Sequence, residues 1–297
     1  MKNKIFIGAV LTLISVPAVL ALTKALTFHV HNQNNGSIVS GGRTREYLLY
    51  VPRSYDPARP APLVVSLHGA GGWPVQQMET SGWNRVADEN GFIVVYPSGV
   101  VGAGPRHWSV GDVPFIADLM DKLQASYNID RRRIYVNGLS NGGGMSFVLS
   151  CALSERIAAV GMVAAAQTVS WTWCKDRTPV PMIAFHGTDD RIVPYHGGMS
   201  WVAPARFPNL VSWTEKWARR NRCEAKPVET AAAPDVTRRE YTHCADEAAV
   251  VLYTIRGGGH TWPGGEPMPE WFVGPTSRSV DATRLMWAFF RAHPLPR

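Results

Sequence analysis

Residues 133–145, Arg-Ile-Tyr-Val-Asn-Gly-Leu-Ser-Asn-Gly-Gly-Gly-Met, constrain this chain more than any other stretch. A run of β-branched and aromatic residues, Ile134, Tyr135 and Val136, stops at Gly-Leu-Ser-Asn-Gly, and Met145, Val148, Leu149 and Ala152 then recur at helical spacing. A strand that passes straight into a helix through Gly-x-Ser-x-Gly holds its serine, here Ser140, on a strained backbone. Glycines flank it because side chains there would collide with strand or helix. A Gly/Ser/Asn-rich surface turn is the alternative for the pentapeptide alone, so the rest of the chain must decide.

The rest alternates strands and helices. Residues 63–67 and 92–96 are continuous apolar runs of the kind found in buried parallel strands. Further strands are expected at 157–165, 181–185 and 250–255, and helices at 75–89, 115–127, 209–220 and 281–290. Segments 26–30 and 44–51 read as an edge hairpin, separated by the polar turn 32–36 and the Gly41-Gly42 pair. This alternation predicts an α/β fold with a mostly parallel sheet and helices on both faces. No repeat or linker divides it, so residues 26–297 are expected to form one domain. A hydrophobic share of 45% is ample for its core, and 18% charged residues argue against disorder.

The chain begins with Lys2 and Lys4, then an apolar run to Leu22 with Val-Leu-Ala at 19–21, which reads as a cleaved export signal over residues 1–21. A membrane anchor is the alternative for that run. With no second such run, no stable membrane association is expected once the leader is cut. Export makes the four cysteines readable as two disulfides. Three pairings are possible, and Cys151 with Cys174 and Cys223 with Cys244 is the sequence-local choice. Without a Cys-x-x-Cys pair or a fitting Cys/His cluster, a metal site is not expected. The formal charge of +7 is dispersed. Its densest run, residues 131–133, reads as a solvated helix-end cluster closing a helix-to-strand turn, and no nucleic-acid partner is expected.

Open α/β sheets bind outside the carboxyl ends of their strands. Four polar motifs occupy that position here: His68-Gly69-Ala70, Ser140, Asp189-Asp190 and His260. The last three follow the order Ser, Asp, His. A serine hydroxyl needs a histidine to accept its proton, and a buried carboxylate to orient that imidazole. His260, after three glycines, suits the first role among the nine histidines. In the run His-Gly-x-x-Asp-x-x-Val-Pro counted from His186, with Val193-Pro194 following, the motif's acid is Asp190, which suits the second role better than Asp189, and Asp189 reads as a loop-capping residue. Backbone N–H groups of Asn141 and Ala70 are the expected oxyanion donors. His68 and His186 read as structural groups at strand ends. Of eleven tryptophans, Trp108, Trp171, Trp173, Trp201, Trp262 and Trp271 fall in loops expected around this edge. Trp108, Trp201 and Trp262 are candidate substrate contacts, with core packing as the alternative.

The stretches Leu67-His68-Gly69, Gly138-Leu139-Ser140-Asn141-Gly142-Gly143, His186-Gly187-Thr188-Asp189-Asp190, Cys244-Ala245-Asp246 and Gly257-Gly258-Gly259-His260-Thr261-Trp262-Pro263 together carry a family likeness. With them the chain resembles secreted α/β-hydrolases of the polyhydroxybutyrate-depolymerase-like and feruloyl-esterase group. The resemblance implies an α/β-hydrolase fold and cofactor-free hydrolysis of carboxylic esters through an acyl-enzyme on Ser140. It also supports the two local disulfides. It implies a small or oligomeric ester such as a 3-hydroxyalkanoate, or a polymer surface. Feruloyl or acetyl-xylan esters are the alternative, and a non-catalytic carbohydrate-binding protein is the reading from another class.

Overall fold

The computed structural model describes residues 33–101, 104–175 and 178–296. The expected leader and the strand at 26–30 lie outside them. The strands are β1 (Gly36–Ser40), β2 (Arg43–Tyr50), β3 (Ala61–Leu67), β4 (Ile93–Pro97), β5 (Ile129–Leu139), β6 (Ala159–Val163) and β7 (Met182–Gly187). After the small pair β8 (Gly198–Met199) and β9 (Arg206–Phe207) come β10 (Val228–Ala233), β11 (Val236–Tyr241) and β12 (Val250–Ile255). All but β8 and β9 join one sheet in the order β1-β2-β4-β3-β5-β6-β7-β12-β11-β10. From β4 to β12 the pairing is parallel, and both edges are antiparallel hairpins.

Strand alternation divides the core into two layers. In β3, Leu63, Val65 and Leu67 face one layer and Val64 the other; in β5, Val136 and Tyr135 divide the same way. The first layer is covered by helices Val113–Ser126, Asn141–Ala152 and Leu210–Arg220, which contribute Phe115, Leu119, Phe147, Trp213 and Trp217. Helices Trp83–Asn90 and Ala282–Ala292 cover the second with Trp83, Val86, Trp287 and Phe290. Burying each such aromatic side chain stabilises the fold by roughly 1.5–3 kcal/mol. Two disulfides, Cys151–Cys174 and Cys223–Cys244, tie the ends of the Asn141 and Leu210 helices to the loops beside them. Each closes a short loop, worth about 3 kcal/mol.

Four local expectations are corrected. The partner of β2 is β1, built partly from the stretch expected to be a turn; Gly41 and Gly42, both at positive φ, form the hairpin turn itself. The helix expected over 75–89 is two helices, Pro74–Ser81 and Trp83–Asn90, because Gly82 adopts the left-handed conformation (φ 64°) and caps the first. Residues 131–133 lie inside β5 rather than at a helix end. There the guanidinium of Arg133 pairs with Asp130 at 2.6 Å, and Arg132 donates to the Leu295 carbonyl at 2.8 Å. The β10–β11 hairpin extends the sheet where no strand was expected.

The strand after β3 pairs on one side of it, and β5 pairs on the other. This reversal opens a crevice between the carboxyl ends of β3 and β5, where ligands bind in open α/β sheets. Leu67 of β3 pairs with Gly138 of β5, so the loop beginning at His68 starts beside Ser140.

Candidate active site

Ser140 stands at the end of β5 with φ 55° and ψ −121°, a conformation that L-residues rarely adopt. The surrounding chain leaves it no alternative. A Cβ on Gly138 would lie 2.4 Å from the Gly142 carbonyl carbon, and one on Gly142 2.3 Å from the Leu67 oxygen. Strand, turn and helix therefore touch backbone to backbone. The Ser140 N–H is occupied by the Val163 carbonyl at 2.8 Å. Asn141 opens the helix, and its side chain bonds both the N–H and the carbonyl of Trp108, at 2.7 and 3.2 Å.

Asp190 follows β7 and is buried, whereas Asp189 is exposed and accepts from the Thr188 hydroxyl at 3.1 Å. One Asp190 oxygen accepts from the Ile192 and Val193 N–H groups, each at 2.8 Å. The other faces His260 Nδ1 at 2.8 Å and His186 Nε2 at 3.2 Å. Burial alone would raise this carboxyl's pKa. The charge of His260 and hydrogen bonds from His186 and His260 outweigh it, holding Asp190 far below the usual carboxylate range. A carboxylate at Nδ1 requires the proton there, so Nε2 is left as the basic nitrogen of His260.

The loop carrying His260 is held by backbone contacts. The His260 N–H donates to the Val273 carbonyl at 2.6 Å and the Gly259 N–H to that of Pro275 at 2.9 Å. A Cβ on Gly259 would sit 2.2 Å from the Val273 oxygen, so only glycine permits this approach. Ser140 and His260 both line a cavity of about 310 Å³, together with His68, Gly69 and Ala70. Its apolar wall is made by Ile192, Val202, Met268, Phe272 and Val273. The Ser140 hydroxyl and His260 are not hydrogen-bonded to one another among the described residues; such contacts often tighten only when substrate binds.

Two of the three tryptophans singled out as substrate contacts are packing residues. Trp262 is fully buried and donates to the Thr283 hydroxyl at 2.9 Å. Trp108 is 3% exposed, and its indole N–H donates to the His68 carbonyl at 2.9 Å. Trp201 is 53% exposed, with its ring 5.6 Å from that of Phe272 on the cavity wall. Met268 and Phe272 escaped the sequence analysis because the segment around the short helix Glu270–Val273 has no periodicity to mark it.

His68 is caged beside the site. Its Nδ1 lies 2.7 Å from the Gly69 carbonyl, and its Nε2 accepts from the Gly99 N–H at 3.0 Å. Burial chiefly, with the charge of Arg106, pushes its pKa down to about 4 against the opposing Gly69 carbonyl. The unfolded chain takes up this proton near pH 6.5 and the native ring does not. The stabilisation is therefore full above pH 6.5 and is lost as pH falls towards 4, by about 3 kcal/mol across the window. Chemical denaturation at pH 7 and 4.5 should show the native protein losing roughly 2–3 kcal/mol more than a His68→Asn variant.

The layered sheet, its switch point and the serine turn define an α/β-hydrolase. Comparison with known proteins places the chain more closely. The Esterase PHB depolymerase family model matches residues 45–170. “Putative esterase NocK” of Nocardia uniformis subsp. tsuyamanensis is 31% identical over 277 residues, covering 82% of this chain and 78% of that protein. The chain belongs to this esterase family. Feruloyl esterase B of Piromyces equi is 31% identical over 229 residues, 73% of this chain, and the match spans 42% of the Piromyces protein, less than half its length. Among solved structures, acetyl xylan esterase from Aspergillus awamori superposes with a TM-score of 0.62 over 82% of this chain and 93% of that one. At 17% identity that likeness shows the fold.

Proposed function

We infer that the protein is a serine esterase that hydrolyses carboxylic esters through an acyl-enzyme. The observation that carries this is the buried Asp190–His260 pair at 2.8 Å, with His260 lining the same cavity as the strained Ser140. Ser140 Oγ attacks the ester carbonyl while His260 Nε2 takes its proton. The N–H groups of Ala70 and Asn141 receive the oxyanion. His260 then gives the proton to the departing alcohol, and water activated by the same ring releases the acid. Asp190 holds His260 in the productive tautomer and stabilises its charged form. Two disulfides support an oxidising compartment outside the cytoplasm, and among the described residues no helix is long and apolar enough to cross a membrane.

The acyl group proposed is a planar aromatic one of the hydroxycinnamoyl type. The apolar wall beside Ser140 and the Trp201–Phe272 ring pair at its rim support this choice, as does the name of the Piromyces relative. Initial rates on methyl ferulate, acetylated xylan and 3-hydroxybutyrate oligomers test it. Methyl ferulate is expected to give the highest kcat/KM, by about tenfold or more, the worth of one well-placed apolar contact. A preference for the oligomers would return the assignment to 3-hydroxyalkanoates, and no hydrolysis of any ester would overturn the esterase reading.

A further inference from the structure

We propose that His68 is a positioning residue: as a single neutral tautomer it orients the Gly69–Ala70 peptide so that the Ala70 N–H faces the oxygen of the reacting ester. The inference rests on the esterase reading above and adds a residue to it.

The tautomer follows from the partners. A carbonyl can only accept, so the contact between His68 Nδ1 and the Gly69 oxygen at 2.7 Å places the ring proton on Nδ1. The Gly99 N–H can only donate, so its 3.0 Å contact requires a bare Nε2. The two contacts come from different loops, after β3 and after β4, and both are satisfied only by the neutral Nδ1–H form. The Trp108 indole N–H fixes the backbone carbonyl of His68 at 2.9 Å, and its ring lies 5.0 Å from the imidazole. Arg106, which donates to the Gly99 carbonyl at 2.9 Å, further opposes a second positive charge here.

What this ring holds is one face of a peptide plane. The Gly69 carbonyl accepts from His68 and also from the Gly72 N–H at 3.0 Å. No peptide among the described residues is cis. In a planar trans peptide the C=O and N–H point in opposite directions. Fixing the Gly69 oxygen towards His68 therefore turns the Ala70 N–H away from it. That N–H has no acceptor among the described residues, and Ala70 lines the cavity with Ser140. The loop runs close to the serine: a Cβ on Gly69 would lie 3.4 Å from the Ser140 Cβ. An oxyanion donor is effective when it is held in place before reaction, and a displacement of about 1 Å can cost on the order of 100-fold.

Two substitutions separate the ring's contacts. In His68→Asn, the side-chain amide reaches the place of Nδ1 and can donate to Gly69. In His68→Gln, it reaches the place of Nε2 and can only serve Gly99. Steady-state hydrolysis of p-nitrophenyl butyrate should show kcat reduced about 10- to 100-fold in His68→Gln, with KM within about twofold of the native value. His68→Asn should recover most of kcat although its melting temperature falls as far. A folded His68→Gln variant with native kcat, or a His68→Asn variant equally impaired, overturns the proposal.

Should neither variant fold, ¹⁵N-histidine spectra of the native protein read the tautomer directly; His293, whose Nδ1 also faces a carbonyl (Phe289, 2.7 Å) and whose pKa burial also lowers, is assigned through His293→Gln. A neutral Nδ1–H ring for His68 near pH 5.5 is expected, and an Nε2–H or doubly protonated ring overturns it. An unsubstituted protein that neither cleaves esters nor reacts with a fluorophosphonate fails the esterase reading instead.

Discussion

Replacing Ser140 by alanine is expected to lower kcat for p-nitrophenyl butyrate by about 10⁶, the cost of removing the nucleophile from a serine–histidine unit. The melting temperature should barely move. Alanine keeps the Cβ that the turn already accommodates at φ 55°, and the Gly138 and Gly142 approaches that build the turn are untouched. The hydroxyl has no hydrogen bond among the described residues whose loss would destabilise the fold. Any residual rate above that of water would come from the oxyanion donors and binding alone. A folded Ser140→Ala variant that retained appreciable turnover would remove Ser140 from the reaction.

Asp190→Asn should cost about 10⁴ in kcat, with the cavity intact. The amide would present either an oxygen or an NH₂ group to His260 Nδ1, and to His186 Nε2 at the same position. The His186 N–H favours the amide oxygen there, but its carbonyl-like dipole lacks the charge that stabilises the imidazolium. The alternative rotamer puts an NH₂ group against Nδ1, which moves the ring proton to Nε2 and removes the base. The Ile192 and Val193 N–H groups, which need an acceptor, make the rotamers compete. Asp189→Asn supplies the control. Its exposed side chain accepts from the Thr188 hydroxyl, whereas Asp190 is the acid that faces His260, and its kcat should stay within about twofold of the native value. Comparable losses in both variants would mean that the loop's fold, rather than the Asp190 charge, matters.

The parallel centre of the sheet was legible because its strands carry mostly apolar runs that give way to polar residues at the carboxyl end, as at Leu67-His68 and Leu139-Ser140. Buried on both faces, they leave no other pattern. The β10–β11 hairpin was not legible: β10 is largely exposed, the charged residues Arg238, Arg239 and Glu240 of β11 are only half-buried, and β11 joins the sheet by pairing with β12. Gly82 could have announced the break between the two short helices, since an isolated glycine within a helical pattern is a candidate cap. Arg131, Arg132 and Arg133 were misplaced because a charged run looks the same at a helix end and at the solvated start of a strand.

For the candidate site, spacing within the His186-Gly187-Thr188-Asp189-Asp190 run distinguished the two acids, and the structure puts Asp190, not Asp189, against His260. The tryptophans show the limit of such reasoning. Trp108, Trp201 and Trp262 share glycine- and proline-rich surroundings, yet two are buried hydrogen-bond donors and one is exposed. Loop sequence does not encode which side of the chain faces inward. The contact of His68 with Gly99 was invisible for a related reason: it is set by how the adjacent ends of β3 and β4 fall together, and only the assembled sheet supplies that distance.

The central claim, that Ser140 is a nucleophile activated by the His260–Asp190 pair, is tested most directly by covalent capture. The protein should be treated with a fluorophosphonate, and the adduct located by peptide mass spectrometry in parallel with loss of esterase activity. The account predicts one adduct per chain, on Ser140, formed in step with inactivation and absent from His260→Ala under the same conditions. Inactivation with the adduct on another residue, or an active protein that Ser140 labelling leaves unaffected, would contradict it.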